Sequence, residues 1–270
     1  MLMTSARRIA AIGLRQFYLM RGSVARFLPL FVWVALDMIL WGFLSRYLDT
    51  VASSGGTRFV PSLLGAVLLW DFFIRVMQGV TTAFFEEVWS RNFLNIFASP
   101  LSIPEFLAGL VLSSVVTSAV GLAIMLVLTS SVFGLSFFSF GLVLIPFLLV
   151  LFLFGIALGV LGSALVLWLG PAAEWFVWPI PALVAPFAAV YYPLSTLPAW
   201  MQMVSRVLAP SYVFESMRAI LAKKSFPISG LAWGVGLAAI DVVIACWIFY
   251  RVYRHAVRTG LIARYSAETV

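Results

Sequence analysis

The feature that most constrains this chain is the recurrence of apolar runs long enough to cross a lipid bilayer. Glu105 to Phe133 is one such run and Phe138 to Leu169 another, with no charged residue between Glu105 and Glu174. A span needs about 20 predominantly apolar residues. In hydrocarbon, backbone amides find their partners inside the segment, so these runs are read as helices. Hydrophobic residues make up 63% of the chain and charged residues 10%, with a mean hydropathy of +1.09. No soluble domain of 270 residues needs that much apolar surface. The expected class is an all-α integral membrane protein.

Six spans can be drawn: Phe27 to Tyr47, Phe59 to Phe85, Glu105 to Phe133, Phe138 to Leu169, a proline-interrupted segment from Glu174 to Tyr192, and Ser229 to Tyr250. The single transmembrane domain then divides into an interface helix (1–26), spans 1–2 (27–85), a cytoplasmic loop (86–104), spans 3–5 (105–192), an outer segment (193–228), span 6 (229–250) and a tail (251–270). In the first part, Leu2, Ala6, Ile9, Gly13, Phe17, Met20 and Val24 recur at steps of three and four, with Arg8, Arg15 and Arg26 opposite. Such a helix lies in the membrane interface with its apolar side down. An even number of spans puts both termini on one side. Arg7, Arg8, Arg15, Arg21 and Arg26, with Arg251, Arg254, Arg258 and Arg264, assign that side to the cytoplasm. Arg206, Arg218, Lys223 and Lys224 in the loop assigned outside oppose this assignment.

Two stretches between spans stand out. In the cytoplasmic loop, Trp89, Phe93, Ile96 and Phe97 are read onto one face of a helix over 86–98, and Glu87 and Arg91 onto another as an i,i+4 pair. Pro100 and Pro104 end it. Such a helix either rests on lipid or docks a cytoplasmic partner. In the outer stretch, Pro179, Pro181, Pro186, Pro193 and Pro198 prevent a continuous helix, yet Tyr191, Tyr192 and Trp200 keep it suited to a membrane surface. Broken backbone at such depth is tolerated only beside protein or a watery cavity.

Four charges fall inside the spans: Asp37, Asp71, Arg75 and Asp241. Asp71 and Arg75 are one turn apart and are expected to pair, with Asp37 at a similar depth. Gly155 with Gly159, Gly230 with Gly234, and Ser114, Ser118 and Gly121 are expected to be packing faces. One histidine (His255) and one cysteine (Cys246) leave neither a metal cluster nor a Ser-His or Cys-His pair. The formal charge of +7 sits at the termini and in loops, which suits lipid headgroups rather than nucleic acid.

The segments Glu87…Arg91…Phe97-Ala98-Ser99-Pro100-Leu101-Ser102…Glu105…Gly109 and Tyr192-Pro193-Leu194-Ser195…Leu197-Pro198-Ala199-Trp200…Pro210…Glu215…Arg218 resemble the membrane subunits of type-2 ATP-binding cassette exporters. Those proteins move drugs, lipids and lipid-linked glycans outward. The resemblance covers nearly the whole chain. The loop Trp168-Leu169-Gly170-Pro171-Ala172-Ala173-Glu174 departs from the arginines many relatives carry there. The resemblance implies a permease in the bacterial inner membrane with both termini cytoplasmic. Its coupling helix would contain Glu87, Trp89, Arg91, Phe93 and Phe97. Its outer re-entrant hairpin would contain Tyr191, Tyr192, Pro193, Leu197, Pro198, Trp200, Glu215 and Arg218. It also implies a second permease copy, identical or paralogous, and two separate ATPase subunits that carry ATP and Mg. The sequence itself agrees on one point: the only lysines, Lys223 and Lys224, follow Leu221-Ala222 and not a glycine-rich phosphate loop, so no ATP site is expected on this chain. The runner-up is a proton-coupled transporter using Asp37, Asp71 and Asp241; such folds usually carry internal repeats, and none is evident here.

Overall fold

The computed structural model describes residues 2–22, 24–51, 60–134, 144–222 and 228–261. Among them every regular element is helical. In order they are α1 (Leu2–Arg21), α2 (Val24–Val51), a π-helical turn (Val60–Leu64) running into α3 (Gly65–Trp89), α4 (Phe93–Ala98), α5 (Ile103–Phe133), α6 (Leu144–Leu169), α7 (Glu174–Val177), α8 (Ile180–Val184), α9 (Ala199–Arg206), α10 (Ala209–Leu221) and α11 (Ile228–Arg258). Four helical stretches among the described residues are long and apolar enough to cross a membrane: Val60–Trp89, Ile103–Phe133, Leu144–Leu169 and Ile228–Arg258. The chain is thus an all-α, membrane-embedded protein.

α3 is the central helix, packed between α5 and α6, while α11 lies along the other side of α6. The closeness of these contacts follows from glycine. A Cβ added at Gly159 would lie 2.7 Å from the Val80 Cβ and 2.9 Å from the Met77 carbonyl, and one at Gly155 would lie 2.8 Å from the Val76 Cβ. Ser114 on α5 meets the same helix from the other side and donates a 2.7 Å hydrogen bond to the Val76 carbonyl. The expected packing faces at Gly155, Gly159 and Ser114 therefore serve that purpose, as small-residue seams do where no hydrophobic force drives helices together. Phe73, Phe84, Phe85, Phe106, Phe214 and Phe249 fill the spaces that remain.

One expectation is corrected. The helix expected over 86–98 is two elements. α3 runs to Trp89, the chain turns through Ser90–Asn92 with Arg91 at φ 52°, and α4 spans only Phe93–Ala98. A non-glycine residue with positive φ reverses the chain locally, so Glu87 and Arg91 are not i,i+4 neighbours on one helix. Glu87 pairs instead with Arg15.

The segment drawn as a proline-interrupted fifth span is broken, as its prolines lead one to expect. It consists of α7, α8 and turns up to Tyr192. Pro179 and Pro181 divide it, and Ala189 has φ 54°.

α1 sets its polar side against the protein. Gln16 is buried, Ile12 packs on Gly109, and Leu14, Phe17 and Tyr18 point outward. Ser5 and Arg8 both bond to Glu105, which also accepts the Ser102 N–H at 2.8 Å in a capping box that starts α5. Burial lowers the Arg15 guanidinium from its ordinary value, and nearby Glu86 opposes that shift. Lys223, Lys224 and Arg264 lie outside the described residues, as does the Phe97 side chain.

Candidate functional site

α2 leans on the far end of α5, where Gly42 meets Phe133 and Arg46 stacks 5.0 Å above the same ring. It barely touches α3. The space left between α2 and α3 is a groove whose third wall is the broken segment α7–α8. Two adjoining cavities of about 560 Å³ each occupy it. They share Asp37 from α2, Asp71, Ile74 and Gln78 from α3, and Trp178 from the turn after α7. One reaches Gln16, Thr82 and Glu86 beside α1. The other reaches Trp41, Tyr191 and Tyr192 at the opposite end. The groove therefore follows α3 from the α1 end to the outer break.

Its most buried charged group is Asp71. The residue is 7% exposed, and its Oδ2 is buried with no hydrogen-bond partner. Arg75 Nε is likewise buried and unpartnered. The sequence predicts an Asp71–Arg75 ion pair, but no bridge within 4 Å joins them. Both face the cavity, one turn apart, without closing on each other. An isolated buried charge is among the most expensive groups a membrane helix can carry. Here buried Asp71 and the half-buried Asp37 and Arg75 line one space. Asp241, on α11, lines neither cavity and is not part of the cluster.

The aromatic walls set the width. Tyr191 stacks on Trp41 with ring centroids 5.3 Å apart and planes 10° off parallel, joining the broken segment to α2. Trp178 sits edge-on to Phe85 at 6.1 Å. Trp33, Trp178 and Tyr191 are each at least 40% exposed, so the groove is open along one side.

The sequence matches no protein-family model and no curated protein.

The outer residues form a closed cap. Arg218 on α10 donates to the Ala189 and Val190 carbonyls and to Glu215 at 3.0 Å, while Glu215 accepts the Leu194 N–H at 2.9 Å. Tyr192 bonds back to the Pro186 carbonyl. Trp200 packs edge-on to Phe187 at 6.1 Å, and Leu197 is buried between the two halves. Pro193 and Pro198 stand at the N-cap positions of the short helical turns that follow. These interactions hold the positive-φ turn at Ala189 in place.

The residues predicted to couple to a partner divide. Phe93 is fully buried against Phe84, with centroids 5.5 Å apart, so it is a strut of the bundle and not a surface anchor. Glu87 is 1% exposed and bound to Arg15 and Gln16. Trp89 is half exposed and donates a 2.9 Å hydrogen bond to Glu174. Arg91 and Asn95 are exposed beside it. Gln78 is a groove residue that sequence reasoning passed over. Position 78 is one helical turn beyond 75 on the face of Asp71, which is the signal that identifies it.

Proposed function

We propose that this chain is the permease subunit of a type-2 ATP-binding cassette exporter in a bacterial inner membrane, with six membrane segments and both termini cytoplasmic. In this reading α2 is the first segment and the broken α7–α8 stretch the fifth. Two copies face each other, and two separate ATPase subunits carrying ATP and Mg dock at the α4 end. The observation that carries the reading is the one-sided groove: its polar lining is open between α2 and α8, so one chain supplies half of a conduit and a second copy would close it. The substrate class is amphipathic, since the lining sets Asp37, Asp71, Arg75 and Gln78 among tryptophan and tyrosine rings.

In mechanism, ATP-driven closure of the ATPases would press on the short α4 and its exposed neighbours Trp89, Arg91 and Asn95. Phe93, locked against Phe84, would pass that push into α3. Because α3 carries both the docking end and the groove charges, moving it changes the groove directly. A rigid helix packed at glycine seams moves as a unit.

The test is reconstitution with and without a partner ATPase. The purified chain alone should show no stoichiometric ATP binding by calorimetry, and export should need the ATPase. ATP binding by the chain alone would contradict the reading. The unpartnered Asp37 and Asp71 favour one second reading, a proton-coupled transporter. Export driven by a pH gradient without any ATPase would establish it.

A further inference from the structure

We infer that the groove binds the cationic head of an amphipathic molecule, with Asp37 and Asp71 as its counter-charges. This inference deepens the reading of the groove as the transport path and rests on it. Two carboxylates face the same cavity as one guanidinium, which leaves one acid in excess at the middle of the groove. Glu86, further along the same cavity beside Arg15, adds no positive charge. α7 and α8 contribute no charged side chain to either cavity.

An excess carboxylate in low dielectric is strongly stabilised by a cation and strongly penalised beside an anion. The second observation is that Asp71, which lines both cavities, carries a buried Oδ2 without any hydrogen-bond partner in the protein. Its free acceptor position is where an ammonium or phosphonium head gains most. The remaining walls suit the same ligand, because tryptophan and tyrosine faces attract cations and also cover apolar bodies. Trp41, Trp178 and Tyr191 supply those faces next to the acids. Arg75 offsets one carboxylate and so sets the selectivity: the site holds a single positive charge.

The probes are tetraphenylphosphonium and tetraphenylborate, which share a shape and differ in sign. Binding to the full chain, purified in neutral detergent, is measured by equilibrium dialysis. The phosphonium should bind saturably and the borate should not. Asp37→Asn and Asp71→Asn should each weaken the phosphonium by about tenfold or more. Arg75→Gln should tighten it, a gain that a misfolded variant would not show, and Asp241→Asn should leave it unchanged. Equal binding of both ions, no saturable phosphonium binding, or indifference to both Asn variants would overturn the inference. The ATPase requirement is measured separately. If it holds and the phosphonium does not bind, only this inference fails; if the phosphonium binds and export needs no ATPase, the exporter reading fails instead.

Discussion

Two acid–arginine sets sit about one turn apart on helices of this protein, and they differ in what surrounds them. Glu215 and Arg218 on α10 close on each other at 3.0 Å and share the backbone of the outer break. Asp71 and Arg75 on α3 do not close, and each leaves a buried atom without a partner. Arg218 Nε is also unpartnered, but the other two nitrogens of its guanidinium are engaged. The difference separates structural from functional charge. At the outer break, the irregular turns expose carbonyls that must be satisfied inside the membrane-embedded fold, and Arg218 satisfies two of them. On α3 the helix already satisfies its own backbone, so Asp71 and Arg75 contribute nothing to it. Burying them costs stability, and in the proposed reading their place in an open groove gives that cost a function.

This contrast can be broken most easily at Arg218. Arg218→Ala removes a charged donor to Ala189 and Val190 and strands Glu215; it should cost about 2–3 kcal/mol of stability. The measurement is the thermal unfolding midpoint in detergent, and an unchanged midpoint would dissolve the distinction between the two sets.

Next in size is Arg15→Ala, which leaves the buried Glu87 with only the neutral donors Gln16 and Asn92. A loss of about 1–3 kcal/mol is expected, together with release of α1. Limited proteolysis near α1 should accelerate. A proteolysis pattern identical to the parent would mean that lipid, not Glu87, seats the helix.

Asp71→Asn has the opposite sign. It removes a buried carboxylate that nothing pairs with, so stability should hold or rise by about 1 kcal/mol while transport falls. A large loss of stability would place Asp71 with the structural charges.

The smallest effect belongs to Arg8→Ala. Its side chain is 42% exposed and sits 3.4 Å from Glu105. A partly exposed pair of this kind is worth about 0–1 kcal/mol, and Ser5 and the Ser102 N–H continue to hold Glu105. A midpoint shift as large as that of Arg15→Ala would show that the α5 capping site is what latches α1.

Much of the class was legible in the residues, and the reasons are specific. Apolar length announces helices in lipid, glycines four apart announce close seams, and prolines in 179–198 announce a broken segment. The seams at Gly155 and Gly159 and the split between α7 and α8 follow those signals. A helical wheel separates Arg8 and Arg15 of α1 from its apolar face, so the side that turns away from the apolar surroundings was legible. The carboxylates those arginines meet, Glu105 and Glu87, are distant in sequence and were not. The turn at Ser90–Asn92 carries no glycine or proline, so nothing local foretells the break that separates Trp89 from Phe93. The failure of Asp71 and Arg75 to pair was invisible for a different reason. Helical spacing allows the pair, and spacing alone does not say whether the two side chains close on each other or turn to a cavity.

The most direct test of the central claim is whether water reaches the groove beside Asp71. In a Cys246→Ala background, cysteines are placed singly at Gln78, which lines both cavities, and at Val127, which is 64% exposed on the outside of α5. Only a thiolate reacts, and it forms only where water is present. A charged, impermeant methanethiosulfonate reagent applied to membrane fragments should modify Gln78→Cys about tenfold or more faster than Val127→Cys. Equal or slower reaction at Gln78→Cys, in a variant that still folds, would make the groove a dry packing gap and contradict the account.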